Sequence, residues 1–248
     1  MTAANQLARA ANALLRPFSI QVVRRHDAVN GHKPWDRKFT SWIAQARERG
    51  IDPNDLGDVA WADDRLEESL SRHYLPKISS TSVVFELGPG TGRLTRHLIG
   101  RCGELILADY SQLVCDWLRH YLGSKGRFRI IRLDGPVLTG IPAETVDVVV
   151  AHGVFEHIDL DDMASFLDEF HRILRPGGMV VFNFDNFASR GGREWFERWR
   201  PAPGDRGIFR FYHPEVVRAA AVASGFDVEQ IATDDSRLAT ATLRRPRE

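Results

Sequence analysis

The sequence predicts an α/β protein: a doubly wound, mostly parallel sheet that ends in an antiparallel hairpin and carries a helical N-terminal extension. Three observations lead there. From residue 83 onward, short runs of β-branched and apolar residues alternate with amphipathic stretches of helical length. Those runs are apolar throughout rather than at every second position, as strands covered by helices on both faces require. Further on, "FDVEQIAT" and "RLATATLRR" are separated only by "DDS", a connection too short for a parallel crossover. The 248 residues suit one such domain with extensions.

The elements follow in order. Residues 1–78 read as a helical extension or lid, in which Trp35, Trp42, Trp61 and Tyr74 recur and "GIDPNDLGD" (50–58) makes a break. Residues 79–248 form the main domain. "VVFEL" (83–87) is its first strand, followed by a glycine turn and a helix through "RLTRHLIG". "ELILAD" (104–109) is the second strand, with "SQLVCDWLRHYLG" (111–123) as its helix. "RFRIIRLD" (127–134) and "VDVVVAHG" (146–153) are the third and fourth strands. The helix "DLDDMASFLDEFHRIL" (159–174) is stopped by Arg175-Pro176-Gly177-Gly178, and "MVVFNFD" (179–185) is the fifth strand. Pro214 opens a further helix at the first-turn position it favours, and Gly225 ends it. Residues 185–213 are far longer than an ordinary strand-to-helix connection of about 2–6 residues. Six arginines and seven aromatics fall between Phe187 and Tyr212, which suits either a platform for a bound ring or a cap filling its own small core.

Composition narrows the function classes. Lys+Arg and Asp+Glu are equal at 33 each, so nucleic acid, which selects a strongly basic face, is not expected as the main partner, while a local basic patch stays open. Cys102 and Cys115 match no metal or redox spacing and read as free thiols of a reducing cytoplasm. The longest apolar runs have strand length, so no transmembrane segment is expected. Arg9, Arg16, Arg24 and Arg25, interleaved with Leu7, Leu14 and Leu15, resemble a membrane-surface helix or transit peptide, but Pro17 interrupts the pattern. A plain helix packed on the domain is expected there. The oligomeric state stays open.

The turn after the first strand carries the chemistry. It reads Gly88-Pro89-Gly90-Thr91-Gly92, whereas a dinucleotide fingerprint would require glycine at position 93, which is Arg93. Glu86 stands two residues before the turn, where it repels a phosphate and attracts an ammonium. Asp109 closes the second strand, where a carboxylate receives the two hydroxyls of an unphosphorylated ribose. S-adenosylmethionine fits a ligand with an adenosine-like ribose, a positive charge and no diphosphate.

"VVFELGPGTGRLT", "LILADYS", "RLDG", "VDVVVAHGVFEHI" and "LRPGGMVVFNF", in that order, resemble the motif series of class I S-adenosylmethionine-dependent methyltransferases, a Rossmann-like fold, over about residues 80–245. The resemblance implies that Glu86, Gly88, Pro89, Gly90 and Gly92 surround the methionine part of the cofactor. It implies further that Asp109 takes the ribose hydroxyls with Tyr110 beside the adenine, that Asp134 accepts the adenine amino group with Gly135 following, and that His152 and Gly153 face the sulfonium.

An oxygen acceptor must lose a proton, which calls for a base or a metal. His152 is the first candidate base or, failing that, an orienting group; His157 is a second candidate or a structural residue. Glu156 could orient either. Asp185 and Asn186 end the fifth strand, and catechol O-methyltransferase-like enzymes hold magnesium with a similar pair. Their third ligand is an aspartate where this chain has His152, so Asp185 could instead hydrogen-bond the acceptor directly. "ALLRPFSIQVVRR" and "FRFYHPEVV" look most like methyltransferases of sugar and glycan assembly. The expectation is therefore O-methylation of a small-molecule, carbohydrate acceptor. N- or C-methylation of a metabolite or lipid, and a non-catalytic cofactor-binding scaffold, are the alternatives.

Overall fold

The structure, a computed structural model, describes residues 32–52, 55, 65–199 and 209–248. The basic stretch carrying Arg9, Arg16, Arg24 and Arg25, together with Trp61, lies outside the described residues. Two helical pieces precede the sheet. Helix α1 spans His32–Glu48. Helix α2, Leu66–Ser69, runs directly into a π-helical turn, Leu70–Tyr74, and a 3₁₀ turn, Leu75–Lys77.

The main domain then alternates as the sequence predicts: β1 Val83–Leu87, α3 Thr95–Leu98, β2 Glu104–Asp109, α4 Gln112–Leu122, β3 Phe128–Arg132, β4 Val146–Ala151, α5 Leu160–Ile173 and β5 Leu174–Asn186. Helix α6 (Arg190–Trp199), β6 (Phe211–Tyr212), α7 (Pro214–Ala223), β7 (Asp227–Ala232) and β8 (Leu238–Arg244) complete it. The sheet order is β3-β2-β1-β4-β5-β8-β7, with the short β6 also pairing along β5. The first five strands are mutually parallel, β8 runs antiparallel to β5, and β7 and β8 form the expected hairpin. Among the described residues no helix is long and apolar enough to cross a membrane.

Strand alternation sends successive side chains to opposite faces, and β1 shows what this does. Phe85 and Leu87 join a core with Phe166, Phe170, Val217 and Ala221 from α5 and α7. Val84 joins the other core, with Val114, Leu118 and Leu122 from α4 and Phe39, Leu66 and Tyr74 from the N-terminal pieces. Each such side chain, once buried, contributes about 1.5–3 kcal/mol. Glu86 has the parity of Val84, so a carboxylate stands in the layer covered by the N-terminal pieces. Helix α1 is seated there by Phe39, edge-on to Trp117 at 5.8 Å, and by the Ser111 hydroxyl donating to Asp36 at 2.5 Å.

Two boundaries differ from expectation. The helix after the glycine turn is a single turn, because much of residues 90–94 is spent in the turn itself. The fifth strand begins at Leu174, not Met179: Val146 pairs with Leu174 and Val148 with Met179, so Arg175-Pro176-Gly177-Gly178 is looped out between two paired residues. The Gly177 amide donates to the Arg245 carbonyl and the Arg245 amide to the Gly178 carbonyl, which pins this bulge to the end of β8.

Helix α6 lies against the end of β5 without room for a side chain at its second residue pair. A Cβ at Gly192 would stand 1.7 Å from the Asn186 carbonyl oxygen, and one at Gly191 2.7 Å from the Arg237 amide nitrogen. Gly192→Ala is accordingly expected to lift α6 and cost about 1–3 kcal/mol, as overpacking does. A lowered melting temperature checks it, with altered fluorescence from Trp195 on the same helix; an unchanged melting temperature would show that α6 is held elsewhere.

Candidate active site

A cavity of about 740 Å³ opens at the carboxyl ends of β1, β2 and β4 and is roofed by residues of α1 and α6. This is the edge at which open α/β sheets bind ligands. Glu86, Gly88, Pro89, Gly90, Asp109, Tyr110, His152, Gly153 and His157 all line it, nine expected site residues brought together. The glycine turn is stapled to the sheet by the Gly88 amide donating to the Ala108 carbonyl at 2.8 Å. Gly88 has φ +65°, and a Cβ there would stand 2.6 Å from a Val154 methyl, so this position requires glycine twice over. At Gly90, φ +54°, nothing lies within 4 Å of the Cβ position, leaving the backbone open to a ligand.

Glu86 is 1% exposed, and its Oε2 has no hydrogen-bond partner among the described residues. Burial pushes its carboxyl up to about 8; the nearby Thr95 hydroxyl opposes this and the Asp109 charge adds to it. Asp109 is pushed up to about 6, again by burial first, while the Ser111, Gly90 and Tyr110 backbone amides favour its ionised form and Asp36 disfavours it. Its Oδ1 accepts the Ser111 amide at 2.8 Å. A buried acid with an unused oxygen is costly by itself, and a cation offsets that cost. An ammonium beside Glu86 and a ribose diol at Asp109 fit these two groups.

Beyond β1, the site continues with His152. Its Nδ1 lies 3.0 Å from the Tyr74 hydroxyl, which also donates to the Ala151 carbonyl at 3.2 Å. Gly153 is held by its amide donating to Asn183 Oδ1 at 2.8 Å. The His157 ring sits between Trp35, 4.9 Å away, and Phe209, 5.1 Å away, with Nε2 3.6 Å from Glu156 Oε1. Arg237 donates to Glu156 Oε2 at 2.9 Å and to Asp185 Oδ1 at 2.6 Å. Its guanidinium lies 4.5 Å from the centre of the Trp195 ring. Burial works against this charge, but Glu156 and Asp185 outweigh burial and raise the guanidinium above its ordinary value. Trp199 and Phe209, 5.0 Å apart, complete an aromatic wall with Trp195.

Five expected positions lie outside the cavity lining. Asp134 is exposed, pairs with Arg132 and does not line the cavity, and Gly135 does not line it either. Gly92 is a packing residue: at φ +91°, its Cβ position is 3.1 Å from Leu118 and 3.2 Å from Tyr121, so it lets α4 approach. Asp185 is fully buried, does not line the cavity, and accepts from Arg237, which does. Asn186 Oδ1 accepts the Ala188 amide at 3.0 Å. Asp185 thus receives a guanidinium and Asn186 a backbone amide, and no metal-binding group of three His, Cys, Asp or Glu exists among the described residues.

Tyr74, Asn183 and Arg237 were not foreseen as site residues. Tyr74 stood out only as an aromatic, and nothing local distinguishes Arg237, which meets its partners from 81 and 52 positions away.

A parallel sheet closed by an antiparallel hairpin, with a glycine turn after β1 and carboxylates on β1 and β2, is a Rossmann-like architecture. Residues 85–182 match the family described as "Methyltransferase domain". The chain is 27% identical over 144 residues to an uncharacterized methyltransferase of Oceanobacillus iheyensis, covering 55% of this chain and 65% of that protein. It is 29% identical over 135 residues to N-terminal Xaa-Pro-Lys N-methyltransferase 1 of Ailuropoda melanoleuca, covering 51% of this chain and 60% of that one. These matches span less than two thirds of the relatives' own length. Among solved structures, a complex between the Haloferax volcanii Trm112 methyltransferase activator and a methyltransferase contains a chain similar at TM-score 0.60 and 20% identity, over 84% of this chain and 98% of that one. Residues 85–182 are thus similar to a methyltransferase domain, and the chain shares the fold of the methyltransferase structures it matches.

Proposed function

We propose that the protein transfers a methyl group to a hydroxyl of a small ring-shaped acceptor, a sugar or glycan unit, with residues 1–78 as a lid and 185–213 as the acceptor-binding insertion. The observation that carries the reading is the pairing of Glu86, buried with an unused oxygen, with Asp109 across the glycine turn. These residues would hold the ammonium and the ribose of S-adenosylmethionine. Bound there, that cofactor supplies an electrophilic methyl group on sulfur, so the protein's own task is alignment and proton removal. His152 takes the acceptor's proton, and Gly153 gives the backbone close approach beside it.

The acceptor class is supported by the aromatic end of the cavity. Trp195 and Trp199 carry buried Nε1–H donors with no partner among the described residues. Hydroxyl oxygens would satisfy them, while the apolar face of a sugar ring rests on the aromatic wall. An amine acceptor is the second reading, favoured by one observation: the carboxyl groups of Glu156 and Asp185 share the guanidinium of Arg237 beside aromatic faces.

The melting temperature with S-adenosylhomocysteine, compared with NAD, tests the cofactor. A rise of several degrees with the first and none with the second is expected; a response to NAD alone would overturn the reading. Transfer of a labelled methyl group to a panel of sugars and amines then separates the two acceptor classes.

A further inference from the structure

The Tyr74–His152 contact contains more than packing. We propose that Tyr74 is a positioning residue that fixes the tautomer of His152, so that Nδ1 carries the proton and Nε2 carries the lone pair.

The argument is one of donors and acceptors. The Tyr74 phenol is fully buried, and its oxygen lies 3.2 Å from the Ala151 carbonyl and 3.0 Å from His152 Nδ1. A carbonyl only accepts, so the single hydroxyl proton of Tyr74 is committed to Ala151. The phenol oxygen is then an acceptor towards His152, and both contacts are hydrogen bonds only when Nδ1 bears hydrogen. With the opposite tautomer the phenol proton can serve only one of the two acceptors, so either the Ala151 carbonyl or Nδ1 faces a lone pair in a buried place. Donation to Ala151 also polarises the phenol and strengthens it as an acceptor. The bond to Nδ1–H persists after Nε2 has taken a proton, so one phenol supports both states of the base without a charge of its own.

The local backbone serves this contact. Tyr74 ends a five-residue π-helical turn, Leu70–Tyr74, inserted between α2 and a 3₁₀ turn. Such turns are uncommon and concentrate at functional sites. Arg65, paired with Glu68 and Asp234, anchors the segment to the β7–β8 connection. The ring of Tyr74 meets that of His152 edge-on at 5.8 Å between centres. The N-terminal piece thereby contributes to the catalytic centre as well as covering it.

The inference rests on His152 as the base, and its test does not need the acceptor. In ¹⁵N-labelled protein near pH 8, long-range ¹H–¹⁵N correlation distinguishes protonated from unprotonated ring nitrogens, with His152→Gln identifying the signals. The expected result is a protonated Nδ1 and a bare Nε2 for His152, and loss of that preference in Tyr74→Phe. A wild-type ring protonated at Nε2, or an unchanged pattern in Tyr74→Phe, overturns the proposal. Folding of Tyr74→Phe is checked by an unaltered melting-temperature response to S-adenosylhomocysteine. With an acceptor in hand, Tyr74→Phe is expected to lower kcat about tenfold, a fraction of a general base's usual ~10²–10⁴, leaving KM for the cofactor within about twofold. Equal losses in kcat and cofactor affinity would make Tyr74 merely structural and overturn it. If His152→Gln keeps full turnover while the nitrogen pattern is as stated, the base assignment fails and the tautomer assignment stands.

Discussion

Affinity for S-adenosylhomocysteine is expected to rise by roughly tenfold per pH unit between pH 6 and 8, then to level off. The cause is Glu86, whose carboxyl burial pushes up to about 8. An ammonium binds the carboxylate, and at pH 6 only about one molecule in a hundred holds that form. Binding therefore releases a proton. Calorimetry in buffers of different ionisation heat measures that release directly, and a pH-independent affinity with no proton released would remove Glu86 from the binding site. Glu86→Gln should flatten the profile. At pH 8 it should also weaken binding by about 10–100-fold, the worth of a charged hydrogen bond of roughly 1.5–3 kcal/mol. The ligand-free protein carries the opposite signature. A carboxyl raised from 4.5 to about 8 on folding stabilises fully below the unfolded value, and that contribution is lost as pH rises through the folded one. Saturating S-adenosylhomocysteine should therefore raise the melting temperature more at pH 8 than at pH 6.

The second large effect concerns His152. His152→Ala is expected to lower kcat by about 100-fold or more while changing cofactor affinity little. The two quantities separate because Glu86, Asp109 and the glycine turn stand on β1 and β2, whereas His152 follows β4. Cofactor affinity comes from calorimetry and kcat from methyl transfer. Unchanged kcat would move the base elsewhere, His157 being the next imidazole along the wall. A comparable fall in affinity would mean that His152 orients the cofactor instead.

Much of this was legible because it is local. The near-continuous apolar runs declared a sheet buried on both sides, and the three-residue "DDS" connection declared the hairpin. Glu86, Gly88, Gly90 and Asp109 were legible because strand ends in a parallel sheet are forced to one edge. What failed depended on side-chain direction or on distant partners. Asp134 stands two residues beyond the end of β3, and its carboxylate turns outward to Arg132. Asp185 and Asn186 have the chemistry of metal ligands, but a guanidinium from the hairpin and a helix-start amide use their oxygens. The bulge at 175–178 looked like a break, since Pro-Gly-Gly signals a turn and only distant pairing, Leu174 with Val146 on β4 and Gly177 and Gly178 with Arg245, draws it into a strand.

The two ends of the cavity also differ in how far the chain must travel to build them. Glu86 and Asp109 stand on adjacent strands joined through one short helix, so the nucleoside end closes over a loop of modest entropy. The aromatic end depends on Arg237, which reaches Glu156 across 81 positions and Asp185 across 52, and it arrives only when β8 has zipped along β5. Non-local pairings of this kind form slowly. During refolding, recognition of the nucleoside should accordingly precede completion of the wall that chooses the acceptor.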